Sequence, residues 1–105
     1  MVKRSTKRQS LEEVRSLVRR DCFVLTRRAQ RHLGTQSWDR ETVALVLCSL
    51  RRSDLHKSVL DSRRPGSHLD VYRPWFDGQR LYIKFTTDED GDLYVLSFCR
   101  DGENH

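Results

Sequence analysis

Between Ser10 and Leu50 the apolar residues return at helical spacing, and from Leu69 to Cys99 they alternate one by one. Ser10-Leu11-Glu12-Glu13 fits a capping box, and Leu11, Val14, Leu17 and Val18 share one face of a helix predicted over Leu11–Arg20. Cys22-Phe23-Val24-Leu25 is a short apolar run. Thr26 then caps a second helix, Arg27–Leu33, which Gly34 should stop and which displays Arg27, Arg28 and Arg31. A third helix begins near Ser37 or Asp39. Its stripe of Val43, Val46, Leu47 and Leu50, widened by Ala44 and Leu45, makes it the main core helix.

In the second half the period of two predicts strands near Leu69–Trp75, Gln79–Thr87 and Leu93–Cys99. Asp77-Gly78 supplies a tight hairpin, and Asp88-Glu89-Asp90-Gly91-Asp92 a longer acidic turn. Helices first and antiparallel strands afterwards indicate an α+β domain. Met1 to Gln9 carries four cations and little apolar bulk, so residues 1–9 read as a flexible basic arm and residues 10–105 as one domain.

Composition narrows this further. With 105 residues, 36% of them hydrophobic, the chain supports one thin core and no long buried substrate tunnel. No apolar run is long enough for a membrane span or signal peptide, and a cytoplasmic protein is expected. Cys22, Cys48 and Cys99 are odd in number, far apart and set in apolar segments that look like core, which disfavours a disulfide framework or a zinc site. The net charge is +5 and the cations are 16 Arg against 4 Lys. Residues 1–57 hold 14 basic and 6 acidic side chains, a net of +8, whereas residues 58–105 come to −3. An anionic partner follows. The acidic turn is no calcium loop, because its glycine is misplaced and Cys99 stands where a bidentate glutamate is needed. No cofactor or metal motif is visible, and a Cys99–His68 nucleophile pair has only its residue types in favour.

Four segments could carry chemistry: Leu55-His56-Lys57-Ser58, Asp70-Val71-Tyr72-Arg73-Pro74, Leu81-Tyr82-Ile83-Lys84-Phe85 and Leu96-Ser97-Phe98-Cys99-Arg100. On a strand, Tyr82 and Lys84 share one face while Leu81, Ile83 and Phe85 occupy the other. The polar face suits phosphate and stacked bases. Metal-free RNA cleavage needs an activated 2′-hydroxyl, charge compensation at phosphorus and a proton for the leaving oxygen, tasks that Lys, Arg, Tyr and His can share. His56 and His68 are the candidate proton carriers. Trp75 is a packing residue or a base stacker.

These ordered segments resemble the MqsR toxins of bacterial toxin–antitoxin systems. His56-Lys57-Ser58 is similar to the family's aromatic-Lys-Ser segment, Asp70-Val71-Tyr72-Arg73 to its Asp-Val-Tyr-Arg signature, and Tyr82-Ile83-Lys84 to its Tyr-hydrophobic-Lys strand; Ser97-Phe98 matches its final Ser-Phe pair. The resemblance spans roughly Ser10 to Arg100. It implies a RelE-like α+β fold and a metal-free, ribosome-independent endoribonuclease that cuts messenger RNA at short GC-containing sequences and arrests growth. The implied partners are single-stranded mRNA and a cognate antitoxin, in the best-known case a zinc-binding protein with a helix-turn-helix DNA-binding domain. Operator DNA would be reached only through the antitoxin, and no membrane is involved.

Carried over residue by residue, the family's active-site lysine and tyrosine fall on Lys57 and Tyr82. Leu69 replaces a family glutamine and Cys99 a family lysine, so His68 and Arg100, their neighbours, are the candidates to take over. The expected catalytic set is Lys57, Tyr82, His68 and Arg100, with Arg73, Lys84, Tyr72 and His56 holding RNA. Arg73 could instead pair with Asp70 or an acidic loop. Two other readings stay open: a module that binds nucleic acid without cutting it, and a protein that chiefly binds its antitoxin.

Overall fold

A computed structural model describes residues 10–61, 67–87 and 90–102. The basic arm 1–9, the Arg63-Arg64 pair and the start of the acidic turn at 88–89 lie outside the described residues. Among those described, three helices precede most of a six-stranded mixed sheet, an α+β fold.

Helix α1 (Leu11–Arg19) starts where Ser10 accepts from the Glu13 N–H while the Glu13 carboxylate accepts from the Ser10 N–H, the reciprocal arrangement its sequence calls for. Strand β1 (Phe23–Leu25) follows, then α2 (Arg27–Gln36), capped by Thr26. Helix α2 runs past Gly34 because its stop lies further on. Ser37 takes the left-handed conformation, its N–H donates to the Gly34 carbonyl, and the Trp38 N–H donates to the Leu33 carbonyl. That double closure pins Trp38 against the core, edge-on to Phe76 and Phe98. Helix α3 (Arg40–Ser49) is capped by Asp39 and buries Val43, Val46 and Leu47.

A single helical turn at Arg52–Asp54 leads into β2 (Leu55–Leu60), and β3 (His68–Tyr72), β4 (Trp75–Phe76), β5 (Gln79–Thr87) and β6 (Leu93–Arg100) complete the chain. The strand predicted over Leu69–Trp75 is broken at Arg73-Pro74. Proline offers no N–H to the ladder; its carbonyl accepts from the Leu81 N–H, and the chain resumes as the two-residue β4. Asp77 and Gly78 both have positive φ, the pair a tight hairpin needs to match the twist of its strands.

The sheet order is β1-β6-β5-β3-β2, with β1 parallel to β6 and β4 paired to β5. Leu81, Ile83, Phe85, Leu93, Val95 and Phe98 point to one face, where they meet Val14 and Val18 of α1, Ala29 and Leu33 of α2, and the α3 stripe. Strand β1 covers only the first half of β6, and α2 takes over beyond it: the Thr26 N–H donates to the Val95 carbonyl, the Thr26 hydroxyl to that of Leu96, and the Phe98 N–H to Nδ1 of His32. None of the three cysteines forms a disulfide, and Cys22, expected in the core, is exposed just before β1.

Candidate active site

Two β-bulges decide what the face opposite the core presents. Leu55 pairs with Tyr72 but Lys57 pairs with Val71, so His56 is an extra residue in β2. Were His56 paired in regular alternation, Lys57 would stand opposite Asp70 and turn toward the helices; because His56 is bulged, Lys57 joins the outer face. In β6 the pairing steps from Phe85↔Val95 to Lys84↔Ser97, which makes Leu96 the extra residue. Regular alternation resumes after it.

The register then lays out three rows across the outer face. The first runs Lys57, Val71, Lys84, Ser97. In the second, Arg73 continues the line of β3 beside Tyr82, which pairs with Cys99. The third holds Trp75 opposite Arg80, with the Asp101 N–H donating to the Arg80 carbonyl. Val71, Ser97 and Cys99 form a buried floor, and the longer Lys57, Tyr82, Lys84, Arg73 and Arg80 side chains stand around it. Adjacent strands are about 4.8 Å apart, so Lys57 and Lys84 rise from backbones about 10 Å apart, a span that fits a phosphodiester between them.

Polar contacts fix the second row. Arg73 donates through Nε and Nη2 to one Asp101 carboxylate oxygen, at 3.0 and 2.6 Å, and its Nη1 lies 3.5 Å from His56 Nδ1. A guanidinium can only donate, so Nδ1 of His56 is the acceptor there. Arg80 reaches back to the Arg73 carbonyl at 2.8 Å. Burial raises the Tyr82 phenol above its ordinary value; Coulombic repulsion from Cys99 and Asp101 adds to this, and Arg28 on α2 opposes it. Tyr82 is therefore a neutral proton donor across the physiological range.

Of the expected residues, the fold brings together Lys57, Tyr82, Arg73, Lys84 and His56. Three others lie elsewhere. His68 pairs with Leu60 on the core-side face, and its Nδ1 is buried with no hydrogen-bond partner among the described residues. Arg100 pairs with Leu81, also on the core side, because the bulge at Leu96 lies upstream and leaves the alternation around Arg100 intact. Tyr72 is 2% exposed and stacks on Phe85 at 5.5 Å, which leaves no ring face for RNA. Asp70 also faces inward, accepting from Ser58 at 2.5 Å and tying β2 to β3. The Asp-Val-Tyr-Arg segment is mostly architecture, and only Arg73 offers an exposed charge to the outer face. The ion pair that Arg73 makes is with Asp101, not Asp70.

Hydrophobic periodicity gave no sign of Asp101 or Arg80, and it marked no role at this site for Arg28, displayed on the second helix, or for His32. The last two are one turn apart on α2, at the rim where this helix borders β6, and that i, i+4 spacing was the available signal. Among the described residues, no group of three His, Cys, Asp or Glu side chains is placed to hold a metal ion.

A family model described as "Motility quorum-sensing regulator, toxin of MqsA" matches residues 6–100, nearly the whole chain. The chain belongs to this family. As a member of the MqsR family it is the toxin of a toxin–antitoxin system, and the family description names MqsA as the counterpart. No individually curated protein matches the chain. No helix among the described residues is long and apolar enough to cross a membrane. Two outer-face positions differ from the family pattern noted in the sequence: Leu69, between Val59 and Thr86, and Cys99, beside Tyr82. Both substitutions make this face less polar.

Proposed function

We propose that this MqsR-family toxin is a metal-independent, ribosome-independent endoribonuclease acting in the cytoplasm on single-stranded mRNA. The observation that carries the reading is the bulge at His56, which turns Lys57 to the face that holds Tyr82. RNA lies across that face with its scissile phosphate over Tyr82 and between Lys57 and Lys84. Arg73 turns one N–H from His56 to a phosphate oxygen, and the freed Nδ1 of His56 takes the proton of the 2′-hydroxyl. The 2′-oxygen bonds to phosphorus, the bond to the 5′-oxygen breaks, and the Tyr82 phenol protonates that leaving oxygen. The ends are a 2′,3′-cyclic phosphate and a 5′-hydroxyl. Lys57 and Arg73 offset the charge that builds on the pentacoordinate phosphorus, where a placed donor contributes most. Lys84 holds a flanking phosphate. Short GC-containing targets, growth arrest and neutralisation by an MqsA-like antitoxin complete the reading.

Incubation of the purified protein with end-labelled RNA in EDTA tests it. Selective cuts with cyclic-phosphate ends, absent in Lys57→Ala, are the expected result. Intact but salt-sensitively bound RNA points instead to a non-cleaving binder, a reading favoured by Leu69 and Cys99 on the outer face.

A further inference from the structure

The chain has two tryptophans with opposite environments. Trp38 is held between Phe76 and Phe98, whereas Trp75 is 64% exposed on the outer face. Its neighbours hold it in place. The tight turn at Asp77-Gly78 locks β4 onto β5, Trp75 pairs with Arg80, and the Arg80 guanidinium carbon lies 5.4 Å from the indole centroid. Arg80 is itself anchored on the Arg73 carbonyl, and Arg73 on Asp101. Tyr82 is two residues along β5 from Arg80, on the same face and about 7 Å away, comparable to one step along an extended single strand. A large exposed indole next to a fixed guanidinium offers a planar π surface and positive charge together, the chemistry that recognises a nucleobase attached to a phosphate backbone.

We propose that Trp75, backed by Arg80, is the stacking platform for the nucleobase adjacent to the phosphate held at Tyr82. The proposal rests on the RNA reading of this face and adds to it a base-binding position. Stacking accepts any base and favours the larger purine ring, so the platform fixes the register of the strand on the catalytic row.

Binding to a labelled, mixed-sequence single-stranded RNA with 2′-fluoro sugars, which cannot be cut, separates the possibilities. The RNA should quench the emission of Trp75, the more exposed of the two indoles, and this quenching should be missing in Trp75→Ala. Its affinity should fall about tenfold in Trp75→Ala and largely recover in Trp75→Phe. Moving a single abasic nucleotide along the RNA should find one position that weakens binding to the unaltered protein and not to Trp75→Ala. Equal RNA binding by Trp75→Ala and the unaltered protein overturns the platform, and if natural RNA is still cut, the ribonuclease reading stands without it. Binding with quenching but no cleavage overturns the ribonuclease reading and keeps the platform. No binding overturns both. Loss of antitoxin affinity in Trp75→Ala with RNA affinity unchanged assigns the indole to a protein partner and also overturns it.

Discussion

Tyr82 shows how one residue's surroundings select its role. Burial and the nearby Cys99 and Asp101 hold the phenol protonated. A protonated phenol donates, and it continues to donate until the pH passes the ordinary tyrosine value of about 10. Cleavage by the intact protein should therefore show no loss from this group up to that point and should fall above it, as a rate profile across alkaline buffers checks. The same shift sets a sign for stability. Because the folded state keeps the proton longer than the unfolded chain, any contribution from Tyr82 is complete below pH of about 10 and is lost as pH rises through the folded value. Tyr82→Phe should lower the cleavage rate by about 10²- to 10⁴-fold while the circular dichroism spectrum is unchanged. Asp101 acts at one remove by holding Arg73 through two N–H donors. Asp101→Asn should loosen Arg73 and lower kcat more than it raises KM; a raised KM with kcat unchanged would count against this positioning role.

At the scale of elements, the bulge in β2 matters most. Deleting His56 should make the β2–β3 pairing regular while leaving Lys57 opposite Val71 on the outer face, so the deletion, like His56→Ala, should retain the Lys57-dependent part of RNA binding and lose the imidazole's part of cleavage. Parallel binding titrations of the two variants check this: RNA binding lost in the deletion alone would show that the local twist of the bulge, beyond the facing of Lys57, is needed. The bulge also explains what was hard to read in the sequence. The three helices and the strands from His68 on were legible from period and caps, but β2 lacks alternation: it carries the extra His56 and leaves Val59 and Leu60 exposed at its far end. Helix α2 outran Gly34 because the chain closes at Ser37, where docking of Trp38 sets the end. Lys57, Tyr82 and Lys84 could be found from local motifs. The inward turn of His68, Tyr72 and Arg100 could not, because facing depends on where bulges fall. Thr26 both caps α2 and bonds the Leu96 carbonyl, and Thr26→Ala should cost about 1 kcal/mol in denaturant unfolding.

For the molecule as a whole, charge and core pull in separable directions. The net charge of +5 favours an anionic partner, while the outer face concentrates Lys57, Lys84, Arg73 and Arg80 over a small area. If three or four phosphates are contacted, the logarithm of RNA affinity should fall with the logarithm of salt with a slope of about −2 to −3. The core on the other face is thin, and Phe98 is fully buried in it beside Trp38. Phe98→Ala should cost about 3–5 kcal/mol, a large part of the roughly 5–15 kcal/mol expected for a domain of this size. Thermal unfolding would show it as a lowered midpoint.

The most direct test of the central claim, that the outer face joins Lys57 and Tyr82 into one RNA-cleaving site, is single-turnover cleavage of one RNA in EDTA. The comparison is between the unaltered protein, Lys57→Ala, Tyr82→Phe and the double variant. Residues acting at one phosphate are strongly non-additive, so the double variant should be scarcely slower than the worse single one. Losses that multiply independently, or cleavage that persists in the double variant at the unaltered rate, would contradict the account.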